Sequence, residues 1–117
     1  MTELKNLQCE ACRPDSPRVT GEEIQELLPQ LPGWELLEVE GNPRLQKVYK
    51  FPNFLKALAF TNAVGAEAEK AGHHPGLLTE WGKVTVSWWT HDIGGLHKND
   101  FILAARTDSI KENLKGD

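Results

Sequence analysis

The sequence predicts an α+β domain, an antiparallel β-sheet of about four strands with three helices packed on one face. Three observations carry that expectation. Apolar residues recur at spacings of three and four after Thr20 and again after Asn53, and a third helical stretch follows Lys98. Between the helices lie short runs rich in branched and aromatic residues, one of which alternates with a period of two. Helices and strands then follow in the order helix, two strands, helix, one or two strands, helix, which suits a sheet covered on one side.

Each element has a local cause. Thr20 and Glu23 form a capping box, and Ile24, Leu27, Leu28 and Leu31 follow at i, i+3, i+4 and i+7. Pro29 removes a hydrogen bond, so the regular helix is expected to end near Leu28. After a turn at Pro32 and Gly33, residues 34–40 and 45–51 read as strands joined through the turn 40–43 into a hairpin. Asn53 caps a longer helix reaching about Ala71, with Phe54, Ala57, Leu58, Thr61, Val64, Ala68 and Ala71 as its inner stripe. Gly72 suits the left-handed residue that closes a helix, and Pro75 prevents it from resuming, which holds His73 and His74 in a tight loop. Residues 84–89 alternate as a half-buried strand, with Val84, Val86 and Trp88 on one side, and its far end delivers His91. Gly94 and Gly95 make a flexible turn. The third helix runs from Lys98 or Asn99 to about Leu114, with Asp100 in its first turn, where the macrodipole favours a carboxylate.

The 117 residues contain no internal repeat or dividing linker, so residues 20–117 are expected to form one domain behind a flexible arm, 1–19. A chain of this length buries roughly two thirds of its unfolded surface without needing disulfides. Thirteen basic residues against seventeen acidic give a net charge of −4, with no dense basic run to neutralise phosphates, so no nucleic-acid groove is expected. No signal-like segment or apolar stretch of about twenty residues occurs, and a soluble, cytoplasmic protein without membrane contact is expected. Cys9 and Cys12 form a C-x-x-C, which is open to three readings: half of a zinc site, a redox dithiol, or ordinary thiols. No second ligand pair completes a tetrahedral zinc, and neither a strand nor a helix flanks the motif. Reduced thiols in the arm are the plainer reading, with a metal shared between subunits as the other.

Three of the four histidines fall within nineteen residues, at element ends. Histidine is the side chain whose ordinary pKa, about 6.5, lets it give and take a proton near neutrality. Glu69, His73, His74, Pro75, Trp81, His91 and Asp100 stand in the spacing E-x3-HHP-x5-W-x9-H-x8-D. This pattern resembles the signature of the pterin-4a-carbinolamine dehydratases. Gly33-Trp34 and the series Phe51, Phe54, Ala57 and Phe60 resemble the family as well, so the likeness spans about residues 20–114. Leu77 and Asn99 depart from it, since some members carry an aromatic residue and an arginine there.

The resemblance implies a concrete activity: removal of water from a 4a-hydroxytetrahydropterin to give the quinonoid dihydropterin, in recycling of the cofactor of an aromatic amino-acid hydroxylase. The C4a hydroxyl leaves while N5 loses its proton, a step served by general acids and requiring no metal and no cofactor of the enzyme's own. By the same resemblance His73, His74 and His91 form the catalytic set. His73 and His91 act as acids on the two faces of the pterin, and His74 chiefly binds it. Glu69, Pro75, Trp81, Thr90 and Asp100 are assigned to binding or orienting the substrate. The four tryptophans and the sheet edges also lead to an expected homodimer or homotetramer. A regulatory or dimerisation-cofactor role on the same fold is the alternative, and a metalloprotein using His73, His91 and the cysteines is a third. His97 lies outside the signature and is expected at the surface or as a helix cap.

Overall fold

In the computed structural model, which describes residue 4, residues 19–90 and residues 95–114, the local signals of the sequence become an α+β fold. Thr20 accepts from the Glu23 backbone and Glu23 reaches back to the Thr20 amide, opening α1 (Gly21–Leu27). A 3-10 turn over Leu28–Gln30 follows where Pro29 interrupts the ladder. β1 (Glu35–Val39) and β2 (Asn42–Lys50) form a hairpin closed by Glu40 and Gly41, both at positive φ as such a two-residue turn requires. β2 therefore begins three residues earlier than its apolar run. Pro43 is accommodated because β4 ends its pairing at Leu45, so the missing amide hydrogen has no ladder to serve.

α2 (Phe54–Ala71) is capped by Asn53, whose side chain accepts from the Lys56 amide, and closes at Gly72 with φ 68°. β3 (Gly76–Glu80) and β4 (Lys83–Trp88) make a second hairpin, and α3 (Lys98–Asn113) ends the described chain. All pairings are antiparallel in the order β1-β2-β4-β3. The register sets Leu45, Lys47, Tyr49, Val84, Val86, Trp88, Leu77 and Thr79 on one face. α2 and α3 pack there, with Thr61 bonded to Thr79 at 2.5 Å and Trp88 bonded to Thr107 at 3.1 Å.

The α2 stripe keeps Ala57, Val64 and Ala68 of its expected set but turns Phe60 inward in place of Phe54 and Leu58. Ala57, Phe60, Val64 and Ala68 are the buried residues, while Phe54 and Leu58 are exposed. Phe60 wins the inward place because Tyr49 and Phe51 offer it tilted ring contacts at 4.7 and 5.2 Å, and full burial of such a ring contributes about 1.5–3 kcal/mol. Trp89 lies on the helix-free face beneath the Arg44 guanidinium, 3.9 Å from the ring centroid. Gly76 is needed beside it, since a Cβ there would come within 3.1 Å of the indole. Leu4 is buried in the core; the rest of the 1–19 segment, with Cys9 and Cys12, lies outside the described residues.

Asp108 of α3 ties the helix to the sheet. Its carboxylate accepts from the Trp34 indole at 3.1 Å, from Lys47 at 2.9 Å and from the Tyr49 hydroxyl. Burial, reinforced by Asp108, pushes the Tyr49 phenol far above its ordinary 10.0. A raised acid pKa means stability that is complete below pH about 10 and lost as the unfolded phenol ionises above it, by about 1.4 kcal/mol per pH unit. Stability to urea is therefore expected to fall above pH 10. Because Tyr49 is the chain's single tyrosine, tyrosinate absorbance reports it alone and should rise only with unfolding. A phenolate titrating near pH 10 in the folded protein would contradict this.

Candidate active site

Three element ends meet around one buried carboxylate. Gly72 turns the chain at the end of α2, and the His73 amide returns to Ala68 O at 3.1 Å, a Schellman-type closure that fixes the His73 backbone. Thr90 follows the end of β4 and is held by a bridge to Gly95. His97 caps α3: its Nδ1 accepts from the Asn99 amide at 2.9 Å, and its own amide donates to Asp100 Oδ2 at 2.9 Å. The remaining Asp100 bonds come from the His73 ring, with Nε2 2.6 Å from Oδ1, and from the Thr90 hydroxyl, 2.7 Å from Oδ2.

Asp100 is fully buried and His73 is 7% exposed. A carboxylate offers only acceptors, so His73 Nε2 holds the proton it shares with Asp100, and Nδ1 is the nitrogen left for another partner. Three donors converge on Asp100, which satisfies a charge that would otherwise be costly to bury. Asp100 therefore orients the imidazole and fixes which ring nitrogen faces it. The second ring is placed differently. His74 Nε2 lies 3.1 Å from Glu69 Oε2, and both side chains face solvent, 63% and 81% exposed. That contact is weak, as exposed pairs are.

His73, Thr90 and Asp100 are thus brought together, with Pro75 at the start of β3 and His74 and Glu69 beside the turn. Trp81 is not with them. It sits in the β3–β4 turn, 70% exposed, at the strand end opposite Pro75, about 20 Å away along the strand. His91 lies outside the described residues. Two residues of the neighbourhood were not foreseen there. His97 is a cap but a buried one, 3% exposed, and Trp88 stacks near-parallel to His73. Among the described residues, no three His, Cys, Asp or Glu side chains are grouped to hold a metal ion, and no helix is long and apolar enough to cross a membrane.

A four-stranded antiparallel sheet, covered by helices on one face and carrying a buried histidine–aspartate pair where α2 and α3 meet it, defines a class of small α+β proteins. The family model for pterin 4 alpha carbinolamine dehydratase matches residues 17–110, and the chain belongs to that family. A provisionally named pterin-4-alpha-carbinolamine dehydratase of Microcystis aeruginosa is 66% identical over 110 residues, covering 94% of this chain and 95% of the relative. One of Nitrosococcus oceani, also provisionally named, is 61% identical over 110 residues, 94% and 97% of the two chains. Among solved structures, a transcriptional coactivator/pterin dehydratase from Brucella melitensis superposes with a TM-score of 0.72 at 31% identity, covering 80% of this chain and 98% of that one. A pterin dehydratase-like protein described as a RuBisCO assembly factor of the alpha-carboxysome shares the fold, with a TM-score of 0.56 at 24% identity and coverage of 67% and 88%.

Proposed function

We propose that the chain dehydrates 4a-hydroxytetrahydropterin to the quinonoid dihydropterin in the cytoplasm, recycling tetrahydrobiopterin or a related cofactor for an aromatic amino-acid hydroxylase. The observation that carries this is the His73–Asp100 pair, buried and hydrogen-bonded, with Nδ1 left available. Hydroxide is a poor leaving group. His73, held by Asp100 through Nε2 and acting in its protonated form, lends its Nδ1 proton to the departing C4a oxygen while N5 releases its own to solvent, and the neutral imidazole that results is re-protonated from water. Thr90 holds the second oxygen of Asp100 and so keeps the first aimed at His73. His74, exposed and lightly tethered to Glu69, is free to turn towards a bound pterin as a binding residue. His91, which follows Thr90 directly in the sequence, supplies the second acid by family resemblance. Within one chain the geometry lends no support to Trp81 as a pocket wall.

The test is decay of freshly generated carbinolamine with and without the protein, corrected for the uncatalysed reaction. Acceleration that saturates with substrate is expected, and its absence would leave the binding or scaffolding role instead. The same reading includes a homo-oligomer. Phe54, Leu55 and Leu58 expose an apolar face on α2, 75% for Leu55, which a partner subunit would cover. Light scattering is expected to give a dimer or tetramer, and a stable 13.1 kDa monomer at micromolar concentration would refute that part.

A further inference from the structure

We propose that Trp88 is a positioning residue for His73, setting the plane of the imidazole and with it the direction in which Nδ1 points; this rests on the dehydratase reading above. The two rings lie 11° from parallel with centroids 5.9 Å apart, an offset stack. The bond from Nε2 to Asp100 fixes one atom of the ring but does little to fix its tilt. Histidine χ2 is broad, and its axis leaves the ring near Nε2, so rotation moves that atom little. A flat wall is what removes the remaining freedom. Trp88 supplies it from β4, fully buried and itself locked: its indole Nε1 donates to Thr107 Oγ1 at 3.1 Å, and that hydroxyl donates to Leu103 O at 2.7 Å. With the hydroxyl proton committed to the α3 backbone, a lone pair is left for the indole, and the direction of each bond is determined. An aliphatic residue would fill the same core position without requiring a buried acceptor. The wall is therefore anchored in α3, about two turns beyond Asp100, so that a single helix carries both the in-plane and the out-of-plane constraint on His73.

Three variants test this: Trp88→Phe, which keeps a flat ring, Trp88→Leu, which removes it, and Thr107→Val, which strands the indole N–H. Steady-state rates on the carbinolamine are combined with NMR of the His73 ring, observed through its Nε2 proton and its titration. Trp88→Leu is expected to lower kcat by about tenfold with KM within about twofold, since loss of orientation acts on the transition state rather than on binding. Its His73 signals should broaden or shift. Trp88→Phe should restore most of kcat and the His73 signals, with Thr107→Val between the two. Should Trp88→Leu fail to fold, the comparison of Trp88→Phe with Thr107→Val carries the same prediction. Unchanged kcat and unchanged His73 resonances in a folded Trp88→Leu or Thr107→Val, whatever their melting temperatures, would overturn the proposal. An inactive wild type would instead refute the dehydratase reading, and the NMR comparison would still decide whether Trp88 sets the ring.

Discussion

Replacing both His73 and His91 with alanine is expected to abolish nearly all catalysed carbinolamine decay. Each single change should impair one C4a epimer more than the other, because acids serving opposite faces fail independently. A positioned general acid contributes about 10²- to 10⁴-fold, so a pure epimer facing the missing group should lose on that order. A racemic substrate would conceal half of each defect, and the spontaneous reaction caps the visible loss. His73→Ala also strands the Asp100 carboxylate in the core, so His73→Gln and a circular dichroism spectrum must accompany it. His74→Ala should act mainly through weaker binding, raising KM more than it lowers kcat, as its exposed position beside Glu69 leads one to expect. A folded double variant with full activity on both epimers would remove the mechanism.

Much of the fold was legible because its signals are local. The Thr20–Glu23 box, the Asn53 cap, the interruption at Pro29 and the left-handed Gly72 each depend on residues within a few positions of one another, and each is present as expected. β3 is left open by the sequence, as one or two strands before the last helix, without a range of its own. Gly76, Leu77 and Leu78 directly follow Pro75 and give no clean alternation, so the segment becomes a strand only through its pairing with β4. The expected α2 stripe is right at Ala57, Val64 and Ala68 but includes Phe54 and Leu58 in place of Phe60, because the three are equally apolar and ring contacts from β2 and Phe51 decide between them. The first half of α3 carries no helical period at all. Asn99 through Ala104 are all buried, since the helix enters beneath other segments rather than lying on the surface.

Of the residues the signature singles out, His73 and Asp100 meet while Trp81 lies at the far end of its hairpin, and that arrangement was not legible. Spacing singled out His73 and Asp100, and the helix-start position of Asp100 followed from the macrodipole, but twenty-seven residues separate the pair and nothing in a linear pattern measures that distance. The same limit hid His97. A histidine before a helix reads as a polar cap, and its burial depends on what is folded over it. Trp88 was visible as a core residue of an alternating strand, whereas its stacking on His73 depends on the turn at Gly72 bringing the imidazole back over the sheet.

Asp100 is where stability and chemistry are most tightly joined, and its replacement separates them. Asp100→Ala removes the acceptor of His73, of the Thr90 hydroxyl and of the His97 amide at once, leaving three buried donors unsatisfied. Breaking such a buried pair costs about 3–5 kcal/mol, a large part of the 5–15 kcal/mol that holds an ordinary domain together. Urea unfolding should register that loss directly. Asp100→Asn is the more informative change. An amide oxygen can still accept from Thr90 and from the His97 amide, so most of the stability should return, but the amide nitrogen then faces His73 with a donor of its own. To accept from it, the imidazole must give up the Nε2 proton and carry its proton on Nδ1 as the neutral ring. The expected result is a folded protein whose His73-dependent rate falls on the order of 10²-fold. Ring-nitrogen NMR should show the inverted tautomer. An Asp100→Asn protein with the wild-type rate on both epimers and an unaltered His73 tautomer would show that Asp100 serves the fold alone.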